Sequence, residues 1–435
     1  VLIPMPRAVV IGGGLAGMAS AAALASAGWE VDLFEARPFL GGRATSYRLP
    51  SGDSTTALID NCQHILLRCC VNLLDFYERM GVAGRIRFHR QFHFLEPGGR
   101  CSTLRAGWLP APLHFAGSFA RLRFLSAADK LSVARGLAAL WRERNRRQDL
   151  DRITMLEWLR EKRQTPGAIQ RFWHPVLVSA VNDEPARIAA RYGFQVFWLG
   201  FLSSATAYEM GIPEVPLADL YGRFELARVH LNAPVERIAI ESGRVAGVLV
   251  QGELRGADAY VLAVPFERVA ALAPELDLDL SRFEHVPITG IHLWFDRRVT
   301  GLPHAALLNR TIQWLFDKGE GRYLQLVVSA SRDLVGMSRA DVIALALGEL
   351  GEFLPAVREA QLEKAHVVKE ARATFSARPG LDAARPAPHT RFPNLFLAGD
   401  WTRTGWPATM EGAVRSGYRA AEAVTGRRFL LPDIA

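Results

Sequence analysis

The sequence predicts an α/β protein in which a Rossmann-like dinucleotide-binding domain carries an inserted, mixed α+β domain. Three features point there. The first thirty-five residues read strand, glycine loop, helix, strand and acid. Near the other end, an apolar strand closing on Gly399-Asp400 runs into a second helix. Between them lie a hairpin and many strand and helix patterns that no single Rossmann unit needs.

Arg7-Ala8-Val9-Val10-Ile11 has the length and branched content of a buried parallel strand. Gly12-Gly13-Gly14-Leu15-Ala16-Gly17 follows, then an alanine-rich helix closed by Gly28 and a strand ending at Glu35. This is G-x-G-x-x-G in its required context. Gly12 makes the tight turn, Gly14 lets the backbone approach a pyrophosphate, and Gly17 lets helix and strand pack closely. Leu15 and Ala16 open the helix, whose free N–H groups and dipole favour phosphate. Glu35, with Ala36 beside it, is placed to accept hydrogen bonds from the adenosine ribose. A dinucleotide binds here.

Which dinucleotide is decided farther on. Gly41-Gly42-Arg43 follows Glu35 after a short loop, and Ala398-Gly399-Asp400 ends a late strand. Asp400 suits the ribityl or pyrophosphate region. A helix starting near Thr409-Met410, with Ala413 in its first turn, aims its positive end at the N1–C2=O edge of a flavin. A simple NAD domain needs no such second half; FAD does.

The middle of the chain reads as follows. Asp60 and His64 cap a helix beginning near Ile65, or serve chemistry with Gln63. Phe88–Leu95 alternates as a half-buried strand. Trp108–Arg147 reads as amphipathic helix, with Trp108, Leu113, Phe119, Leu137 and Trp141 among clustered arginines. It suits an interfacial helix in lipid headgroups, or a soluble helix packed on the domain. Trp158–Phe201 continues helical, and its stripe Tyr192, Phe194, Phe197, Trp198, Phe201 serves both as core and as the wall of a hydrocarbon pocket. A hairpin turns at Ser242-Gly243. Strands at 288–295, 311–316, 323–329 and 364–374 and a helix at 341–353 complete the inserted domain. The dinucleotide domain is thus discontinuous, from 1–87, 225–285 and 390–435; the substrate-binding domain takes 88–224 and 286–389.

At 435 residues, 49% hydrophobic and 22% charged, the chain is large enough for two domains. No apolar run reaches spanning length, and Val1–Pro6 lacks a signal-peptide pattern, which predicts a cytoplasmic protein. The cysteines Cys62, Cys69, Cys70 and Cys101 are spaced for no metal site and read as reduced. A net charge of +8 fits nucleic acid or an anionic membrane surface. No nucleic-acid module is visible, and the basic residues concentrate between Arg121 and Arg163.

These motifs, in this order, resemble the FAD-dependent amine oxidase and phytoene desaturase superfamily, with its GR2-type FAD domain. The resemblance implies that the backbone at Val235 holds the adenine and that Asp60-Asn61-Cys62-Gln63-His64 passes beside the flavin ring. The amine-oxidising branch places an aromatic before the Met-Glu-Gly run; this chain has Thr409, which speaks against amines. Asp183-Glu184-Pro185-Ala186-Arg187, His292–Asp296, Gln313–Asp317 and Ala398–Gly405 are similar to the squalene-associated FAD-dependent group, the hydroxysqualene dehydroxylases, which carry Gly where this chain has Cys62. That group implies reductive loss of an allylic hydroxyl from a long-chain isoprenoid. His64 is then the candidate proton donor to the hydroxyl, with Asp60 or Gln63 orienting it. An oxidative carotenoid-type desaturase and a non-catalytic isoprenoid carrier stay open. No second G-x-G-x-x-G offers a nicotinamide site, so the electron donor is a separate, unidentified partner. An oily substrate favours a peripheral position on the cytoplasmic face of the inner membrane.

Overall fold

The computed structural model describes residues 5–49 and 58–434, so most of the Val1–Pro6 stretch, read above as lacking a signal-peptide pattern, lies outside the described residues. Strand Arg7–Ile11 pairs in parallel with Glu30–Phe34 and with Ala259–Leu262. Arg228–His230 and Leu395–Leu397 add the parallel outer strands. Every second residue points to one face of a strand. Ala8 and Val10 therefore face helices Leu15–Ser26 and Met410–Thr425, while Val9 and Ile11 pack with Ile238 and Val248 of a hairpin. Both faces are covered, which is why these strands read as unbroken apolar runs. The hairpin joins Val235–Glu241 to Arg244–Val250, and both turn residues, Ser242 and Gly243, are left-handed as that turn requires.

A second, seven-stranded mixed sheet takes Leu362–Phe375, His285–Phe295, Tyr323–Ser329, Trp314–Gly319, His304–Leu307, Phe92–Leu95 and Cys101–Leu104 in that order. Ile291, Leu293, Leu315 and Leu326 pack one face against helix Arg339–Phe353. Phe92, Phe94, Trp314 and Phe316 sit on the other face and meet a helical layer built from 116–202.

Several local expectations give way to non-local pairing. The Phe88–Leu95 strand breaks at Arg90-Gln91, because Ile86–His89 pairs with Met210–Pro213 whereas Phe92–Leu95 joins the large sheet. No helix starts at Ile65; Leu66-Leu67 pairs with Met210-Gly211, and the helix begins at Val71. The Trp108–Arg147 segment is helical only at Ala116–Ala120 and Ala127–Glu143, the latter started by the reciprocal Ser126–Asp129 capping box. Pro110 and Pro112 keep the stretch before it non-helical. The Trp158–Phe201 helix is interrupted after Asn182, a left-handed cap, where Asp183 turns away to pair with Arg332 at 2.8 Å.

Two fully buried histidines tie stability to pH. His304 Nε2 faces the Gln91 carbonyl at 2.9 Å, and His292 Nδ1 faces the Tyr323 hydroxyl at 2.8 Å. Burial pushes both down to about 3. Below its ordinary value the unfolded chain takes up protons that the folded chain refuses, so stability falls as pH drops from about 6.5 toward 3. At pH 5 each histidine should cost roughly 2 kcal/mol. Urea unfolding should show a lower midpoint at pH 5 than at pH 8, with the difference reduced in His304→Gln. A midpoint independent of pH would overturn this account.

Candidate active site

The first glycine loop stands where a side chain cannot. Gly12 has φ +109, and a Cβ on Gly17 would sit 1.9 Å from the Gly12 carbonyl oxygen. Gly14 caps the following helix with no side chain, leaving its N-terminus open to a large cavity. Glu35 accepts from the Gly13 N–H at 2.7 Å and the Arg37 N–H at 2.8 Å, which fixes its carboxylate at the cavity edge. From the other end of the chain, Thr409 Oγ1 accepts from the Gly412 N–H at 3.0 Å and so starts helix Met410–Thr425. Arg43 bridges the halves: one nitrogen meets Asp400 at 2.7 Å and another donates to the Ala373 carbonyl at 2.7 Å.

The cavity encloses about 1130 Å³, beyond the roughly 300–1,000 Å³ of ordinary ligand sites. Gly12, Gly14, Leu15, Ala16, Glu35, Ala36, Gly42, Arg43, Val235, Gly399, Asp400, Thr409, Met410 and Ala413 all line it. Gly17 does not; its part is the close helix–strand contact. The open helix N-terminus, a second helix start and the Arg43–Asp400 pair at one wall fit an extended dinucleotide such as FAD, with phosphate held by backbone N–H groups.

Gln63 and His64 reach the same cavity. His64 Nδ1 faces the Cys62 carbonyl at 3.4 Å, and burial holds its imidazole below the ordinary value. Asp60, expected to orient His64, does not touch it or the cavity. Its carboxylate accepts from Ser46 Oγ at 2.6 Å and the Leu217 N–H at 3.0 Å, and pairs with Lys318 at 3.1 Å. Strand Ser46–Arg48, the start of helix Leu217–Tyr221 and the seven-stranded sheet, not a helix at Ile65, supply these partners. Cys62 adopts φ 59, a left-handed backbone that favours glycine, and packs over Gly290. Burial pushes its thiol up to about 12, so it stays neutral and alters packing alone.

Away from this polar end the cavity turns apolar. Phe92, Phe94, Phe119, Phe172, Phe197 and Trp314 line it. The aromatic stripe therefore divides: Tyr192 and Phe194 are core, while Phe197 and Phe201 also form the wall. Leu113 and Trp141 line the cavity yet are 60% and 47% exposed, which locates its mouth between the 112–119 stretch and helix Ala127–Glu143. Lys318 is the functional candidate that motif reading misses. It follows the apolar run at Trp314–Phe316, and its partner Asp60 lies 258 residues away.

A family model described as flavin containing amine oxidoreductase matches residues 15–425. A 15-cis-phytoene desaturase of Synechococcus elongatus is 27% identical over 97% of this chain and 96% of its own length. A hydroxysqualene dehydroxylase of Rhodopseudomonas palustris is 31% identical over 95% of this chain and 97% of its own length. Among solved structures, an oxidoreductase from Methanosarcina mazei has a TM-score of 0.71, covering 97% of this chain and all of its own, at 18% identity. That last likeness is one of fold.

The backbone contact at Gly17 makes a direct prediction. Gly17→Ala should lose bound flavin and melt lower, because neither the strand loop nor the helix can retreat from a Cβ at 1.9 Å. Full flavin content, read from the visible absorbance of the purified variant at an unchanged melting temperature, would refute it.

Proposed function

The chain belongs to the flavin-containing amine oxidoreductase family and takes FAD as its cofactor, and on that premise we propose that it removes the allylic hydroxyl of hydroxysqualene reductively, yielding squalene. One observation carries the reading. Away from the cofactor end the cavity is largely apolar, and Gln63 and His64 enter it from the segment whose Asn61 side chain donates to the Arg43 carbonyl, with Ser179, Asn182 and Gln195 as further polar lining. Gln63 Oε1 faces Lys318 and His64 Nδ1 faces the Cys62 carbonyl, so a pure hydrocarbon would leave the second Gln63 N–H and His64 Nε2 without partners, at a cost of roughly 1–3 kcal/mol each. A hydrocarbon with one hydroxyl satisfies them. The 31% identity to a hydroxysqualene dehydroxylase supports the same substrate.

The net change is an alcohol, a hydride and a proton going to a hydrocarbon and water. FAD, when bound and reduced, supplies the hydride. The protein's part is to hold the chain dry between aromatic walls, whose faces favour a developing allylic cation. It also hydrogen-bonds the departing hydroxyl, since hydroxide leaves poorly without a donor. His64, held neutral by burial, acts here as a hydrogen-bonding partner rather than a store of protons. The electrons come from a separate donor protein or small reductant.

The likeness to phytoene and ζ-carotene desaturases favours a second reading, the oxidative one, with a polyene in the same cavity. Anaerobic photoreduction followed by hydroxysqualene separates them. Flavin reoxidation with squalene formed in step is expected; no reoxidation, with the oxidised enzyme desaturating a polyene, would establish the alternative. His64→Phe should keep FAD and depress turnover at least tenfold, and unchanged turnover removes His64 from the site.

An oily substrate needs a route in, and the cavity mouth supplies the place for an anionic bilayer. Trp108, Leu113, Leu131 and Trp141 are all exposed, Trp108 at 92%, and Arg105, Arg121, Arg123, Arg135 and Arg142 are exposed with no acidic partner among the described residues. No described helix is long and apolar enough to cross a membrane. Near an anionic surface each arginine contributes about 1 kcal/mol. The protein should sediment with phosphatidylglycerol vesicles at physiological salt, and Arg121→Glu with Arg135→Glu and Arg142→Glu should weaken this more than tenfold. Wild-type protein left in the supernatant would exclude the membrane partner.

A further inference from the structure

Behind the Gln63 wall of the cavity lies a buried polar cluster that the reaction just described does not use. Lys318 Nζ stands 3.1 Å from Asp60 Oδ2 and 3.3 Å from Gln63 Oε1. Asp60 is itself pinned by Ser46 and the Leu217 N–H. His292 and Gln325 sit beside the pair on the same sheet face, in register with each other, and both are fully buried. None of these groups but Gln63 reaches the cavity.

We propose that Lys318 is a positioning residue that fixes the Gln63 side chain as a hydrogen-bond donor to the hydroxyl of the bound isoprenoid. An amide can be turned end for end at little cost, and what decides its sense is the neighbour. An ammonium has three donors and no acceptor, so only the Gln63 oxygen can face Lys318. The NH₂ must then point the other way. Its nitrogen stands 3.4 Å from the His64 carbonyl oxygen, a long contact that leaves the amide free to engage a ligand. With the amide reversed, two donors would face each other beside a cation.

The Asp60 carboxylate completes the device. It holds the ammonium against the strand Leu58–Asp60, which runs directly into the Asn61–His64 segment. The order runs from Ser46 and Leu217 through Asp60 and Lys318 to Gln63, and only its last member meets the ligand. The cavity wall thereby carries a donor of fixed direction in a largely apolar lining, which is what discriminates an alcohol from the hydrocarbon of the same length.

The inference rests on the reading of the ligand as a polyprenyl alcohol, and binding to the oxidised holoenzyme tests it apart from turnover. Dissociation constants for hydroxysqualene and for squalene are read from the perturbation of flavin absorbance. Wild type should prefer hydroxysqualene at least tenfold. Lys318→Met and Gln63→Leu should each erase most of that preference, and the double variant should be no worse than Gln63→Leu alone, since Lys318 acts only through Gln63. Lys318→Arg, which keeps donors and lacks an acceptor, should restore part of it. Should Lys318→Met fail to fold with Asp60 left uncompensated, Asp60→Asn with Lys318→Met removes both charges and takes its place. Additive effects in the cycle, or a preference surviving Lys318→Met, overturn the assignment. Wild-type preference without turnover sinks the dehydroxylase and leaves Lys318 standing; turnover without preference does the reverse.

Discussion

Gly417 and Ala16 meet with no side chain between them: a Cβ on Gly417 would stand 2.2 Å from the Ala16 carbonyl oxygen. This contact between helices Leu15–Ser26 and Met410–Thr425 holds the two ends of the chain together. Each helix rises from its own parallel strand, and the two strands flank Ala259–Leu262 in one sheet. The helix starts therefore open onto the same cavity. Two N-terminal dipoles thus face one cavity, which suits an extended anionic dinucleotide. Larger residues at the contact would part the helices and separate the two halves of the cofactor site.

The remainder of the cavity follows from the second sheet. Its inner face carries aromatic residues toward the helical layer, and its outer face is sealed by helix Arg339–Phe353. The apolar part of the cavity is thus a core left unfilled along one line. Polar residues are a minority of its lining, and one group of them comes from the segment Asn61–His64, laid against Gly290 of the seven-stranded sheet. Such scarcity gives each of them weight. In a medium of low polarity one donor orients a ligand more strictly than several would in water.

Charge is distributed to match. Arg43–Asp400 and Lys318–Asp60 are partly or wholly enclosed and paired. The arginines around Trp108 and Trp141 are exposed and have no acidic partner among the described residues. Enclosed pairs orient groups at the site, whereas the unpaired outer charges face whatever surrounds the mouth.

Contiguous motifs were legible from the residues alone. The Gly12–Gly17 loop, the strand closing on Gly399-Asp400 and the Thr409 cap depend on backbone conformation and on neighbours within a turn, so residue order determines them. The hairpin at Ser242-Gly243 and the helix near 341–353 follow for the same reason. Tertiary structure alone decided the rest. Asp60 reads as a helix cap or a partner of His64 until strand order brings Lys318 to it across 258 positions. Leu66-Leu67 reads as helix until Met210-Gly211 pairs with it, and Phe88–Leu95 reads as one strand until two sheets claim its halves. Local patterns record what a segment prefers; which group stands opposite a side chain depends on strand order and register, and those are set by burial over the whole chain.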